Sequence, residues 1–240
     1  MSHFDQSEYQ IRCEWGLQGV STLAPLAEAV IIVDVLSFST AVDIVVSRGA
    51  SVYPHRYADK TAEAYAHLIG GVLAQRDRKS AGFSLSPASL LEIPIGTRLV
   101  LPSPNGAALS LASGSAPTFA ACLRNATAVA QAAAALGLRI AVIPAGERWT
   151  DNSLRPALED WIGAGAVIDA LPAELERSPE AEAAQGVFQQ FRENLHDTLK
   201  RCSSGKELAS DIFSVDVWLA SQLDVSLSAP RLRDSAYRDG

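Results

Sequence analysis

Asp34 is the first residue whose position suggests chemistry. It closes the apolar run Ala29 to Val33 and opens the segment Asp34-Val35-Leu36-Ser37-Phe38-Ser39-Thr40. A charge at the end of an apolar strand is costly unless it is paired or bound to an ion. Asp34 is therefore a candidate Mg²⁺ ligand, through its hard oxygens, or a candidate nucleophile; a helix N-cap is the plainer alternative. Glu147 follows Gly146, which permits close backbone approach, and lies upstream of Glu159 and Asp160, so three carboxylates can share one ion. Adjacent helical residues point about 100° apart, so one of Glu159 and Asp160 is expected to enter the site while the other is solvated or caps its helix.

The candidate anion-binding groups follow the same logic. Ser103-Pro104-Asn105-Gly106 offers hydroxyl, amide and bare backbone to an anion, or is an ordinary turn. Arg124 with Asn125 can clamp a phosphate, or Asn125 caps the next helix while Arg124 pairs at the surface. Arg155 precedes Pro156 at an expected helix start, where guanidinium and helix N–H groups together suit phosphate; pairing with Glu159 one turn on is the alternative. Ser37 and Arg148 complete the substrate-binding set, with catalytic roles assigned to Asp34 and Glu147.

Elements of alternating type position these residues. Strands are expected at Ala29 to Val35, Ala50 to Pro54, Arg98 to Leu101, Thr118 to Ala121 and Leu138 to Ile143. Helices are expected at Ser39 to Arg48, Ala58 to Gln75, Ala126 to Leu136 with Gly137 as a left-handed cap, and Pro179 to about Cys202 behind the N-cap Ser178. Asp77 to Pro94 is a turn-rich segment and a candidate functional loop. The tail carries an apolar stretch near Val215 to Leu223 and a polar end. This pattern predicts an α/β fold, a three-layer α/β/α sandwich around a mostly parallel or mixed sheet, in a single domain spanning residues 1–240. Ligands of such sheets bind beyond the carboxyl ends of the strands, where all the candidates lie.

The 240 residues carry 20 Lys and Arg against 27 Asp and Glu, a net charge of −7 without a basic run, which argues against a nucleic-acid partner. No apolar run approaches the roughly 18 residues of a membrane span. Cys13, Cys122 and Cys202 form no CxxC pair and suit a reducing cytoplasm, and the four histidines show no metal spacing. An Ala-rich helical surface is compatible with a homodimer. The chain also lacks a P-loop, a dinucleotide-binding fingerprint, a GxSxG elbow and the paired aspartates of haloacid dehalogenase phosphatases.

The same strand ends resemble those of the 2-phosphosulfolactate phosphatase (ComB) family. The resemblance rests on Val33-Asp34-Val35-Leu36 with Ser39-Thr40, Asn105-Gly106, Leu123-Arg124-Asn125-Ala126, and above all Ala145-Gly146-Glu147-Arg148 followed by Leu158-Glu159-Asp160 and Gly163-Ala164-Gly165-Ala166. Ser204-Gly205-Lys206-Glu207-Leu208 is similar to the family's closing segment. The resemblance implies a Mg²⁺-dependent phosphatase that converts 2-phosphosulfolactate to 3-sulfolactate and phosphate. Asp34, Glu147, Glu159 and Asp160 would hold metal, and Ser37, Asn105, Gly106, Arg124, Asn125, Arg148 and Arg155 the small anionic substrate. The alternatives are a phosphatase for another small phosphorylated acid and a catalytically silent anion-binding protein. The chain departs from the family's pattern at Ser37-Phe38, at Ala74-Gln75-Arg76, at Ser86-Pro87 and at Ser103-Pro104. An arginine and a glutamate missing from a polyanion site weaken the hold on the anions or the metal shell.

Overall fold

The computed structural model describes residues 3–79, 82–208 and 213–240. In chain order, β1 (Ile11–Cys13), α1 (Gly16–Leu23), β2 (Ala29–Val33), α2 (Phe38–Ser47), β3 (Ser51–His55), α3 (Lys60–Ile69), β4 (Val72–Leu73) and β5 (Arg98–Pro102) form the first part. Then come α4 (Gly106–Ala112), β6 (Thr118–Ala121), α5 (Ala126–Ala134), β7 (Ile140–Pro144), the short β8 (Glu147–Arg148) and β9 (Leu154–Arg155), and α6 (Leu158–Ala170). The chain closes with α7 (Pro179–Phe191), α8 (Leu195–Arg201), α9 (Ser203–Leu208), α10 (Ser214–Ala220), β10 (Pro230–Arg233) and β11 (Ala236–Asp239).

The main sheet has nine strands in the order β1-β7-β2-β6-β10-β11-β3-β5-β4. Side chains alternate across a strand, and β2 shows why its sequence is apolar throughout. Ala29, Ile31 and Val33 pack under residues of α5, α6 and α7, while Val30 and Ile32 pack with Val20, Leu23 and Leu109 of α1 and α4. Helices thus cover both faces, as the α/β sandwich expectation requires.

Two parallel blocks, β1-β7-β2-β6 and β3-β5-β4, are joined by the C-terminal antiparallel hairpin β10–β11. The hairpin pairs with only the first residues of β6, through Thr118 and Phe119, and with β3 through Val52. Beyond it, at the carboxyl ends, the blocks have no strand between them. That leaves the crevice into which Asp34, Asn105 and Glu147 emerge, the kind of switch point where open α/β sheets bind ligands.

Several elements differ from expectation. The helix expected at Ala58 to Gln75 ends at Ile69, because Gly70 takes a left-handed φ of 61° and the chain turns to run beside β5 as β4. The helix expected from Pro179 to Cys202 is broken by a 3₁₀ turn at Arg192–Asn194; Asn194, a residue type that favours helix starts over interiors, stands at the break. Its start is as expected, with Ser178 Oγ accepting from the N–H of Ala181 at 3.2 Å. Gly137 is not the left-handed cap. The residue is needed for space instead, since a Cβ there would lie 2.5 Å from Glu28 Oε2, whose carboxylate accepts the N–H groups of Leu138 and Arg139. The first strand and helix and the closing hairpin had no counterpart in the sequence-based reading.

Candidate active site

Asp34 sits where β2 ends, and its carboxylate is the junction of the two blocks. Oδ1 accepts the N–H of Phe38 at 3.1 Å, at the start of α2. Oδ2 accepts the N–H of Gly106 at 2.8 Å, at the start of α4. The N–H groups that open α2 and α4 are therefore turned on Asp34, an arrangement the dipoles of both helices favour. Gly106 is required: a Cβ at this position would lie 2.7 Å from Asp34 Oδ2 and collide with the Phe38 ring. Burial raises the pKa of Asp34 against these two N–H bonds and Arg78, which lower it; Glu159 raises it further.

Glu159 and Asp160, at the start of α6, were expected to divide between site and solvent. Both are buried, at 2% and 3% exposure. The expected angular divergence holds, but both flanks of this helix start are covered. Asp160 Oδ1 accepts from the N–H of Val35 at 2.7 Å and Oδ2 from the N–H of Gly146 at 2.8 Å, which ties the loops after β2 and β7 to α6. Glu159 Oε2 accepts from the Cys202 thiol at 3.2 Å. Burial, followed by the charges of Asp34 and Glu159, holds the Asp160 carboxyl well above the usual range.

Glu147 opens β8, and Asn105 Nδ2 donates to its Oε2 at 2.8 Å. Burial pushes its carboxyl up to about 7, helped by Asp34 and Glu159 and opposed by Asn105 and Arg155. Glu147 and Asn105 also line a hollow of about 340 Å³ with Trp15 and Arg148. Four acids, from the ends of β2 and β7 and from the start of α6, thus share a single electrostatic neighbourhood.

The expected anion-binding residues do not all arrive there. Arg155 does: it pairs with Glu147 across β8–β9, donates to Ser204 Oγ at 3.1 Å and lies over the Trp149 ring. It belongs to a strand rather than a helix start. Ser37 is buried at the N-terminus of α2. Arg148 points the other way from Glu147, as neighbours on a strand must, and donates to the Asn152 carbonyl in the hairpin turn at 3.1 Å. Arg124 is engaged by Asp43, at 2.8 Å, and by Gln222, at 2.7 Å, away from the four carboxylates. Asn125 is fully buried and accepts from Cys122 N–H at 2.9 Å, while its amide donates to the carbonyls of Ala120 and Ser228. It thereby stitches the end of β6 to the tail, and its side chain makes no cap bond to α5.

Residues 20–235 match the 2-phosphosulpholactate phosphatase family. The chain belongs to that family. A 2-phosphosulfolactate phosphatase of Methanothermobacter thermautotrophicus is 29% identical over 216 residues, which cover 88% of this chain and 87% of the relative. Membership makes this protein a phosphatase, a hydrolase by class.

Within this family member, the residue that sequence reasoning missed is Arg78. It lies in the turn-rich segment flagged as a candidate functional loop, but no motif singled it out. Its Nη1 donates to Ser37 Oγ at 3.1 Å, and its guanidinium feels the charges of Asp216, Asp34, Glu147 and Glu207. With Arg56 and Arg76 it lines a cleft of about 440 Å³ that also includes Pro102 and Pro104 of the β5–α4 turn. Among the described residues no three Asp, Glu, His or Cys side chains form a ready-made metal cage. The donors present are hard carboxylate oxygens, the type Mg²⁺ takes; it commonly uses one or two protein carboxylates and completes its shell with water and substrate phosphate.

Proposed function

We propose that this phosphatase hydrolyses 2-phosphosulfolactate to 3-sulfolactate and phosphate, with Mg²⁺ as its metal. The observation that carries the reading is the convergence of Asp34, Glu147, Glu159 and Asp160 in one buried crevice, with the Glu147 carboxyl raised to about 7 by burial and its acidic neighbours. Such a set of repelling carboxylates is stabilised by a divalent cation. The substrate assignment is supported by the family and by the activity that names the Methanothermobacter relative.

In this reading Asp34 and Glu159 hold the metal, within the one or two protein carboxylates that Mg²⁺ commonly takes, and Glu147 is left for proton transfer. Asp160, with an N–H bond on each oxygen, orients the two loops. When bound, Mg²⁺ supplies charge neutralisation on the phosphoryl oxygens. Arg155 and Asn105 orient the phosphate, and water attacks phosphorus as the ester P–O bond breaks. Glu147 takes the proton of the attacking water on the oxygen that Asn105 does not occupy and returns it to the departing alkoxide oxygen. Asp34 is read as a ligand: one backbone N–H fixes each of its oxygens, and each keeps a lone pair that can be turned on a metal.

The test is phosphate release from 2-phosphosulfolactate and a panel of small phosphomonoesters, with Mg²⁺ and with chelator. Metal-dependent release that falls at least about 100-fold in Glu147→Gln and in Asp34→Asn is expected, the size of losing a general acid–base or a metal ligand. Hydroxylamine trapping of an acyl phosphate would transfer the attack to Asp34. Release from no ester would leave a silent anion-binding member of the family.

No described helix is long and apolar enough to cross a membrane. Three free, buried thiols support a reducing, cytoplasmic location. The acidic charge balance supports action on a small molecule without nucleic acid, as a monomer or a homodimer that light scattering would distinguish.

A further inference from the structure

Arg78 lines the cleft of about 440 Å³ and borders the carboxylate crevice through its bond to Ser37 and the nearby charges of Asp34 and Glu147. Behind it, Asp216 at the start of α10 is fully buried. Asp216 Oδ1 accepts from Ser86 Oγ at 2.7 Å and from the N–H of Ala88 at 2.8 Å. Its Oδ2 has no hydrogen-bond partner among the described residues and lies 3.6 Å from Arg78 Nη1. A buried carboxylate oxygen without a hydrogen bond is expensive and calls for an explanation. Here it faces a guanidinium that is not fully committed to it.

The orientation of Arg78 points outward from that pair. Both of its polar contacts among the described residues, to Ser37 and Asp216, use Nη1. Guanidinium is a rigid planar fork with five N–H donors, so holding one corner leaves Nε and Nη2 for a ligand. Phe213 contributes a ring 6.0 Å from the guanidinium carbon. Ser37 is small and buried, and a longer side chain there would occupy the place of the fork. Of the groups lining the cleft, Arg56, Arg76 and Arg78 are cationic and Asp59 is the acid, and Asp59 is occupied capping α3 through Thr61 and Ala62.

We propose that Arg78 is the specificity-determining residue that grips the acid group at the far end of the substrate, a carboxylate or sulfonate, and that Asp216 is the positioning residue that sets its guanidinium. The proposal rests on the phosphatase reading above. With phosphate at the carboxylates, the rest of a three-carbon acid extends toward the cleft, and Arg78 adjoins both. A bidentate pair with a planar carboxylate, or with two sulfonate oxygens, uses the two donors that Asp216 leaves available.

Kinetics with two monoesters test it: 2-phospholactate, which carries an acid group, and ethyl phosphate, which does not. Loss of a charge-assisted hydrogen bond in Arg78→Ala is expected to raise KM for 2-phospholactate about 10- to 100-fold, with kcat and the ethyl phosphate parameters within about threefold. Arg78→Lys, which keeps the charge and loses the fork, should fall between. Asp216→Asn, nearly isosteric and foldable, should raise the same KM about 5-fold and add nothing in the Arg78→Ala background. Equal damage to both esters overturns the proposal, as does an Asp216→Asn effect that persists without Arg78. If the wild type releases phosphate from neither ester and not from 2-phosphosulfolactate, the phosphatase reading fails separately. Calorimetric titration with malonate then decides: binding lost in Arg78→Ala supports the anion grip, whereas no binding to wild type, or equal binding by both proteins, overturns it.

Discussion

Asp43 with Arg124, and Asp216 with Arg78, are two buried aspartate–arginine pairs, each with a serine as third partner, and their geometry differs. In the first, Asp43 Oδ2 meets Arg124 Nε at 2.8 Å and Oδ1 accepts from Ser226 Oγ at 2.6 Å, while Arg124 Nη1 reaches Gln222 and the Leu219 carbonyl. In the second, the ion pair stands at 3.6 Å and Asp216 Oδ2 has no hydrogen-bond partner among the described residues. The first is closed on itself and locks α2 to the tail. The second is open on the side of a cleft. Residue types alone do not separate a scaffold pair from a site pair; what separates them is whether the hydrogen-bonding capacity is used up inside the fold.

The largest effect expected from this contrast is on stability. Asp43→Ala strands a guanidinium whose side chain is only 12% exposed, and breaking such a pair costs about 3–5 kcal/mol. Arg78→Ala leaves Asp216 buried but able to take up a proton, since burial already raises its carboxyl, and should cost less, about 1–3 kcal/mol. Urea denaturation of both variants reads the difference, and equal losses would erase the distinction. A smaller effect is expected where the crevice meets the scaffold. Gly106→Ala forces a methyl against Asp34 Oδ2 and Phe38, an overpacking that costs about 1–3 kcal/mol, and phosphate release should fall because the Asp34 carboxylate is pushed out of place.

The smallest effect is graded with pH and separates the acid crevice from the neutralised pairs. The folded state keeps the Glu147 proton up to about pH 7, whereas an unperturbed glutamate releases it near 4.5. The folded metal-free protein therefore binds more protons across that window. Its stability is greatest below the lower value and declines as pH rises through the upper one. The slope is at most about 1.4 kcal/mol per pH unit, and less after solvent screening of this half-buried group. Calorimetry at several pH values should show the decline, Glu147→Gln should flatten it, and saturating Mg²⁺ should reverse it. A metal-free protein that gains stability between pH 5 and 7 would contradict the raised carboxyl.

Much of the architecture was legible because it is local. The unbroken apolar run of β2 reports burial on both faces, Ser178-Pro179 reports a helix start, and the carboxyl-end residues Asp34, Asn105, Glu147, Glu159 and Asp160 were all singled out as candidates and lie at the crevice. The closing hairpin escaped because its pairing partners, Thr118, Phe119 and Val52, are far away in the chain and its own pattern is short and polar. Arg124 and Asn125 looked like an anion clamp because their types fit one, while the competing partners that claim them, Asp43, Gln222 and Ser228, give no sign in sequence of being close.

The sequence by itself determined the central strands, several of the helices and which strand ends carry acids, because these follow from side-chain periodicity and from the cost of a charge beside an apolar run. Only the tertiary structure decided that both Glu159 and Asp160 are buried, that Arg78 and not Arg124 reaches the crevice, and that Asp216 stands behind it. Ser86 and Asp216 are 130 residues apart and Val35 and Asp160 are 125 apart. Contacts of that range are set by how two parallel blocks pack around one hairpin, and a hydrogen bond between such residues leaves no periodicity along the chain from which to read it.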